Sequence, residues 1–154
     1  MLAIHETEEL KIQFEIEIAA APAKVWAKLA TLEGMNEWFA RTLIFEHRVG
    51  GAFQMEGEVP EEGPYRFSGK VVKIVPEEEL TFTWTSELGD KWPTHTLVSF
   101  RLEPSGGGTR VTLTHSGFKT LGAELANEEY EGHIEGWAQA KTLESLKEAV
   151  EAGS

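Results

Sequence analysis

From Leu43 to Gly117 the apolar residues of this chain recur at every second position, segment after segment, with turn residues between them. A period of two marks strands with one buried and one wet face. TLIFEH is a short strand, and GGAFQMEG sets Phe53 and Met55 on one face after a tight turn at Gly50-Gly51. YRFSGKVVKIV slips phase between Gly69 and Val72, as a bulge would make it do. LTFTWTS places Leu80, Phe82 and Trp84 together, and THTLVSFRLEP and TRVTLTHSGF are joined by SGGG, a hairpin loop. The acidic stretches VPEEGP (59–64) and PEEE read as solvated turns. Six strands joined in this way curl strongly and leave an apolar concave face. That face needs a cover, and the need constrains what the rest of the chain must be.

The flanking segments supply few candidates. KIQFEIEIAA (11–20) alternates like a further strand with one wet face. APAKVWAKLATL has Pro22 suited to a first helical turn and Val25, Trp26, Leu29 and Leu32 at helical spacing. EGMNEWF reads as a second short helix after a break at Gly34. From about Leu121 the chain is helical, so one long C-terminal helix is left to cover the sheet. The expectation is one α+β domain over 1–154: a curved antiparallel sheet wrapped on a long C-terminal helix, with two short helices after the first strand.

Charge and composition narrow the function. A net charge of -12, from 14 basic and 26 acidic residues, opposes nucleic-acid binding, which depends on Lys and Arg neutralising phosphates. It equally disfavours anionic lipid headgroups. Cysteine is absent, which removes disulfides, thiol catalysis and thiolate metal sites. No basic n-region with an apolar h-region opens the sequence, and no apolar run reaches the roughly 18 residues of a membrane span, so a cytoplasmic protein is expected. His5, His47, His95, His115 and His133 form no helical i, i+4 pair and no short-range ligand motif, and neither a metal nor another cofactor is expected.

A stripe on the terminal helix frames the candidate site. Gly132, Gly136, Gln139, Leu143, Leu146 and Val150 follow each other in a four-three rhythm. Its second half is aliphatic; its first half is glycine, glycine and an amide. Mid-helix glycine costs about 0.5–1 kcal/mol relative to alanine. Two compensations are open: a close helix–sheet approach past Phe82 or Trp84, or a void that a ligand fills. The sheet offers Phe53, Met55, Tyr65, Phe67, Phe82, Trp84, Val98, Phe100, Val111 and Leu113 on one side. Thr94, Thr96 and His115 follow at the same parity, either as polar groups of a small-molecule site or as solvated strand ends. Trp38 and Phe39 are placed near the mouth. For acid–base chemistry His115 and Tyr65 are the weak candidates, because parity turns Glu56 and Arg66 outwards. His95 reads as a surface residue. Trp137, with Tyr130 and His133, lies nearly opposite the leucine stripe. It either packs near the short helices or forms an exposed aromatic patch for a homodimer.

The pieces APAKVWAKLATLEGMNEWF, GGAFQMEG, GKVVKIVPEEELTFTW, VSFRLEPSGGGTRVTLTHSGF and GHIEGWAQAKTLESLK, in this order, resemble the Aha-type branch of the START-like (SRPBCC) superfamily. The resemblance spans about Phe14 to Val150 and implies the helix-grip fold with a cavity between sheet and helix. In that superfamily the cavity holds lipids, sterols, polyketides or plant hormones. The implied function is binding of a small apolar molecule, lipid-, aromatic- or polyketide-like. Alternatives are a chaperone-associated stress-response or protein-interaction module, and a cyclase-, dehydratase- or hydrolase-like enzyme using the same cavity. As read from the residues, the cavity is lined by Trp38, Phe39, Phe53, Met55, Tyr65, Phe67, Phe82, Trp84, Thr96, Val98, His115, Gly132, Gly136 and Gln139.

Overall fold

The computed structural model describes residues 4–6, 10–39, 41–59, 63–88 and 92–152. Strands are β1 (Ile4–Glu6), β2 (Lys11–Ile18), β3 (Arg41–Phe45), β4 (Ala52–Val59), β5 (Gly63–Val75), β6 (Glu79–Ser86), β7 (Thr96–Ser105) and β8 (Gly108–Ser116). They form one antiparallel sheet in the order β1-β2-β8-β7-β6-β5-β4-β3. The short β1 has no counterpart in the sequence reading. Residues 60–62 of the turn expected over 59–64 lie outside the described residues.

The expected punctuation is where the alternation put it. Gly50 precedes β4 with a φ of 87°, and Gly106 and Gly107 turn the β7–β8 hairpin with φ of 53° and 86°. These left-handed conformations suit a residue without a Cβ. The phase slip in β5 is a register shift between Val71 and Lys73 against β6. Gly69 beside it allows a close approach, since a Cβ there would sit 1.8 Å from the Thr83 carbonyl oxygen.

Helices α1 (Pro22–Leu29) and α2 (Leu32–Asn36) follow β2, with Pro22 in the first turn of α1. The break between them is not at Gly34. It falls at Ala30 and Thr31, where the Thr31 hydroxyl caps α2 by accepting from the Gly34 amide. Gly34 is buried inside α2 because a Cβ would come within 2.8 Å of the Ala27 carbonyl oxygen of α1. Asn36 then clamps the chain to β3, its side chain accepting from the Thr42 amide and donating to the Thr42 carbonyl.

The C-terminal helical run is also interrupted. A 3-10 turn (Phe118–Leu121) leads into α3 (Ala123–Ala140), and Lys141 (φ 51°, ψ 45°) separates α3 from α4 (Thr142–Ala152). Leu143, Leu146 and Val150 of α4 are buried. Each such side chain contributes about 1.5–3 kcal/mol on full burial. Polar contacts add to this anchor: the Ala19 amide donates to Glu151 and Lys147 donates to the Glu17 carbonyl. The two helices therefore meet the sheet through different chemistry. α4 is held by aliphatic burial, and α3 is held by rings.

Candidate functional site

The concave face of β4 to β8 is aromatic because period-two alternation brings the rings of neighbouring strands to one side. Phe53 and Phe82 lie 4.3 Å apart between centroids, and Phe67 stacks on Trp84 at 4.5 Å. Phe39, just beyond α2, contacts Phe53, Trp84 and Phe100. Met55 and Val98 are buried beside them. From the opposite side α3 lowers Tyr130, His133 and Trp137 onto this floor. These residues fall in the four-three rhythm of one helix face with Ala126.

A closed set of hydrogen bonds joins α3 to the sheet. An indole N–H can only donate, so it fixes the direction of each bond it makes. Trp137 Nε1 donates to His115 Nδ1 at 3.0 Å. The neutral His115 ring therefore carries its proton on Nε2, which donates to Thr96 Oγ1 at 2.7 Å. That hydroxyl then donates to the Trp84 carbonyl at 3.2 Å. On the same principle Trp84 Nε1 donates to His133 Nε2 at 3.1 Å, and His133 Nδ1 donates to the Glu129 carbonyl at 2.7 Å. All four ring nitrogens of the two imidazoles have partners, as buried polar atoms must.

Both imidazoles are neutral near pH 7. Burial lowers the His133 pKa to about 4, opposed in part by the bond to the Glu129 carbonyl. Burial also takes His115 well below its ordinary value, helped by the neighbouring His133. The two rings are 4.9 Å apart between centroids, close to perpendicular.

The sequence candidates divide. Phe39, Phe53, Phe67, Phe82, Trp84, Thr96, Val98 and His115 are brought together, and Thr96 and His115 are fully buried rather than solvated. Thr94 stays half-buried before β7, its carbonyl accepting from Thr85. Tyr65 is half-buried towards the rim, in contact with Phe67, so it forms no pair with His115. Glu56 and Arg66 pair with each other on the outer face, where parity put them. His95 is exposed.

Gly132, Gly136 and Gln139 do not line the interior. All three are exposed, and a Cβ on either glycine would meet nothing within 4 Å. The stripe that joined them to Leu143 assumes an unbroken helix, and Lys141 breaks it. The space expected between sheet and glycines is filled from the other face of α3 by His133 and Trp137. Trp137 is accordingly buried, in contact with Phe39, Trp84 and His115, and forms no exposed patch.

The sequence reading missed His133, Trp92 and Phe118 as members of the cluster. Trp92 and Phe118 both pack on the His133 ring. The rhythm Tyr130, His133, Trp137 was the available signal. An open depression of about 700 Å³ adjoins the cluster between the α2–β3 corner and α4, lined in part by Trp38, Phe39, Arg41, Ser145 and Ala149. Phe39 thus faces both the depression and Trp137, which puts Trp38 and Phe39 at an edge of the interior.

Among the described residues no three His, Asp or Glu converge as metal ligands, and no helix is long and apolar enough to cross a membrane.

Comparison with solved structures gives the same architecture. The protein MLL2253 from Mesorhizobium loti superposes with a TM-score of 0.73 at 24% identity, over 94% of this chain and 98% of that one. Ms6760 from Mycobacterium smegmatis reaches a TM-score of 0.78 at 17% identity, over 96% and 94% of the two chains. The Aha1 dimer from Colwellia psychrerythraea, solved in solution, has a TM-score of 0.65 at 28% identity, over 94% and 98%. No curated protein matches this chain. The family model described as Activator of Hsp90 ATPase homolog 1-like protein matches residues 19–151. A match over that much of the sequence, together with the helix-grip architecture, means that the chain belongs to the family of Activator of Hsp90 ATPase homolog 1-like proteins.

Proposed function

We propose that this domain binds a small, largely aromatic or apolar molecule between α3 and the sheet, with His115 as its polar anchor. The observation that carries this reading is the environment of His115. It is a fully buried imidazole at the centre of a packed aromatic cluster, with its tautomer fixed through Thr96. A mostly apolar space with one or two placed polar groups is the usual composition of a small-molecule site. When α3 lifts, Trp137 leaves with it. His115 Nδ1 then presents an acceptor between the rings of Trp84 and Phe39. A planar molecule with one O–H or N–H donor fits that chemistry, and burial of its rings supplies affinity at about 25 cal/mol per Å² before association costs.

The test is a titration of 2-naphthol and naphthalene followed by NMR of the Trp137 indole N–H and His115 ring resonances. The expected result is saturable binding of 2-naphthol that moves both signals, with naphthalene at least about tenfold weaker because it cannot replace the indole donor. No binding of either probe, or shifts confined to other residues, would overturn the reading.

The Colwellia relative supports a second reading, self-association, because it is a dimer at 28% identity. The family description likewise supports an interaction with a chaperone ATPase. Light scattering on the purified protein tests the first, and a stimulated Hsp90 ATPase rate tests the second.

A further inference from the structure

We infer that His133 and His115 form an acid-released latch that holds α3 on the sheet. The latch rests on the geometry of α3 alone and stands whether or not the interior takes a ligand.

α3 is bounded by two left-handed residues, Gly122 (φ 97°) and Lys141 (φ 51°), so it is a separate segment between two natural bending points. Its first turn has no side-chain cap, and it carries two exposed interior glycines. A helix of this kind depends on tertiary anchors rather than on its own propensity. Those anchors are Tyr130, His133 and Trp137, together with the small Ala126. Two of the attachments to the sheet are hydrogen bonds in which an indole N–H of Trp84 or Trp137 enters an unprotonated imidazole nitrogen.

A proton on either acceptor nitrogen turns that bond into two donors facing each other. His133 is the first to take one. Its Nδ1–H already has the Glu129 carbonyl as acceptor, and a Glu129 carboxylate oxygen lies 3.7 Å from the same nitrogen. The new proton therefore arrives at Nε2 and opposes Trp84 Nε1–H. Once His133 is cationic, the nearby His115 is harder to protonate, so the release starts from His133. Among the described residues the titratable groups facing the pair are each other and Glu129. Tyr65 and Tyr130 stand one ring further away, behind Phe67 and Phe118. No carboxylate in this set bonds to Nε2 of His133 to hold its new proton in the closed state. β6, β7 and the 3-10 turn contribute rings and Thr96. α4 meets the sheet through Leu143, Leu146 and Val150, which do not titrate, and the bonds from Lys147 and the Ala19 amide hold the Glu151 carboxyl below its ordinary value.

Hydrogen exchange resolved by segment, corrected for the intrinsic pH dependence of the amides, tests the latch, with parallel NMR titration of the His133 ring. The opening of α3 should rise roughly 50-fold from about pH 7.5 to about pH 4.5, across the window between the free-imidazole value and the lower value of His133 in the fold, while β6 to β8 and α4 stay protected. His133→Gln keeps an acceptor for the Trp84 indole without a titrating group, and it should flatten the response. Protection of α3 that is unchanged in acid, that is lost together with the whole sheet, or that is lost equally in His133→Gln would overturn the latch. Should that variant not fold, Glu129→Gln gives the same decision. Loss of the carboxylate next to Nδ1 should move the midpoint to lower pH, and an unmoved midpoint would count as contradiction.

Discussion

At the scale of single residues, the Thr96 hydroxyl is the relay on which the His115 tautomer depends. It accepts from the imidazole and donates to the Trp84 carbonyl. Thr96→Val keeps the shape and strands both partners, so a loss of about 1–3 kcal/mol is expected in urea unfolding at neutral pH. The histidines give stability a pH dependence whose sign is fixed. Unfolded histidine takes its proton near pH 6.5, whereas His133 in the fold does so at about 4. Between those values the unfolded state binds more protons, so stability is complete above the window and declines as pH falls through it. Urea midpoints measured at intervals across that range should drop steadily. Constant midpoints would mean that His133 is solvated. Gly132 and Gly136 make the opposite kind of prediction. With open space around both, Gly132→Ala and Gly136→Ala should each raise stability by about 0.5–1 kcal/mol in thermal unfolding. A clear loss at either position would place that face against the sheet.

At the scale of elements, Lys141 decides how the C-terminal cover is divided. A left-handed conformation costs a side chain roughly 1–2 kcal/mol that glycine does not lose. Lys141→Gly should therefore stabilise the fold by about 1 kcal/mol, read by urea unfolding, because it relieves the bend without moving either helix. Destabilisation would point to a continuous helix through this position. Strands β2 to β8 were legible from alternation alone, down to the register shift in β5 and the SGGG hairpin, because a half-buried strand must alternate. The cover was not. In an ideal helix Leu143 lies six residues, and so about 120° around the axis, from Trp137. A stripe drawn back from the leucines consequently lands on Gly132 and Gly136 and misses the tryptophan. One residue at a positive φ resets the phase, and a lysine carries no local signal that it will do so. The second short helix was misplaced for a related reason. Gly34 looks like a breaker, yet it is the contact point that lets α2 pack on α1.

At the scale of the whole molecule, the helix-grip architecture leaves one large apolar face to be covered, and here it is covered by rings that also carry hydrogen bonds. The members on the sheet could be named from parity. Those on α3 could not, because their side depended on the break at Lys141. Fold alone does not fix function. The interior of this chain holds a polar network of two imidazoles, two indoles and a threonine among aromatic rings. The proposed binding and the inferred acid release both depend on that network being built with α3 turned glycines outward. The measurement that tests it most directly is NMR of the side chains at neutral pH, combining imidazole nitrogen shifts with NOEs from the Trp137 ring. The expected result is two neutral rings, His115 protonated on Nε2 and His133 on Nδ1, with NOEs from Trp137 to Phe39 and Trp84. A Trp137 ring without those NOEs, with Gly132 and Gly136 in contact with the sheet, would contradict the orientation of α3 and with it the assignment of the site.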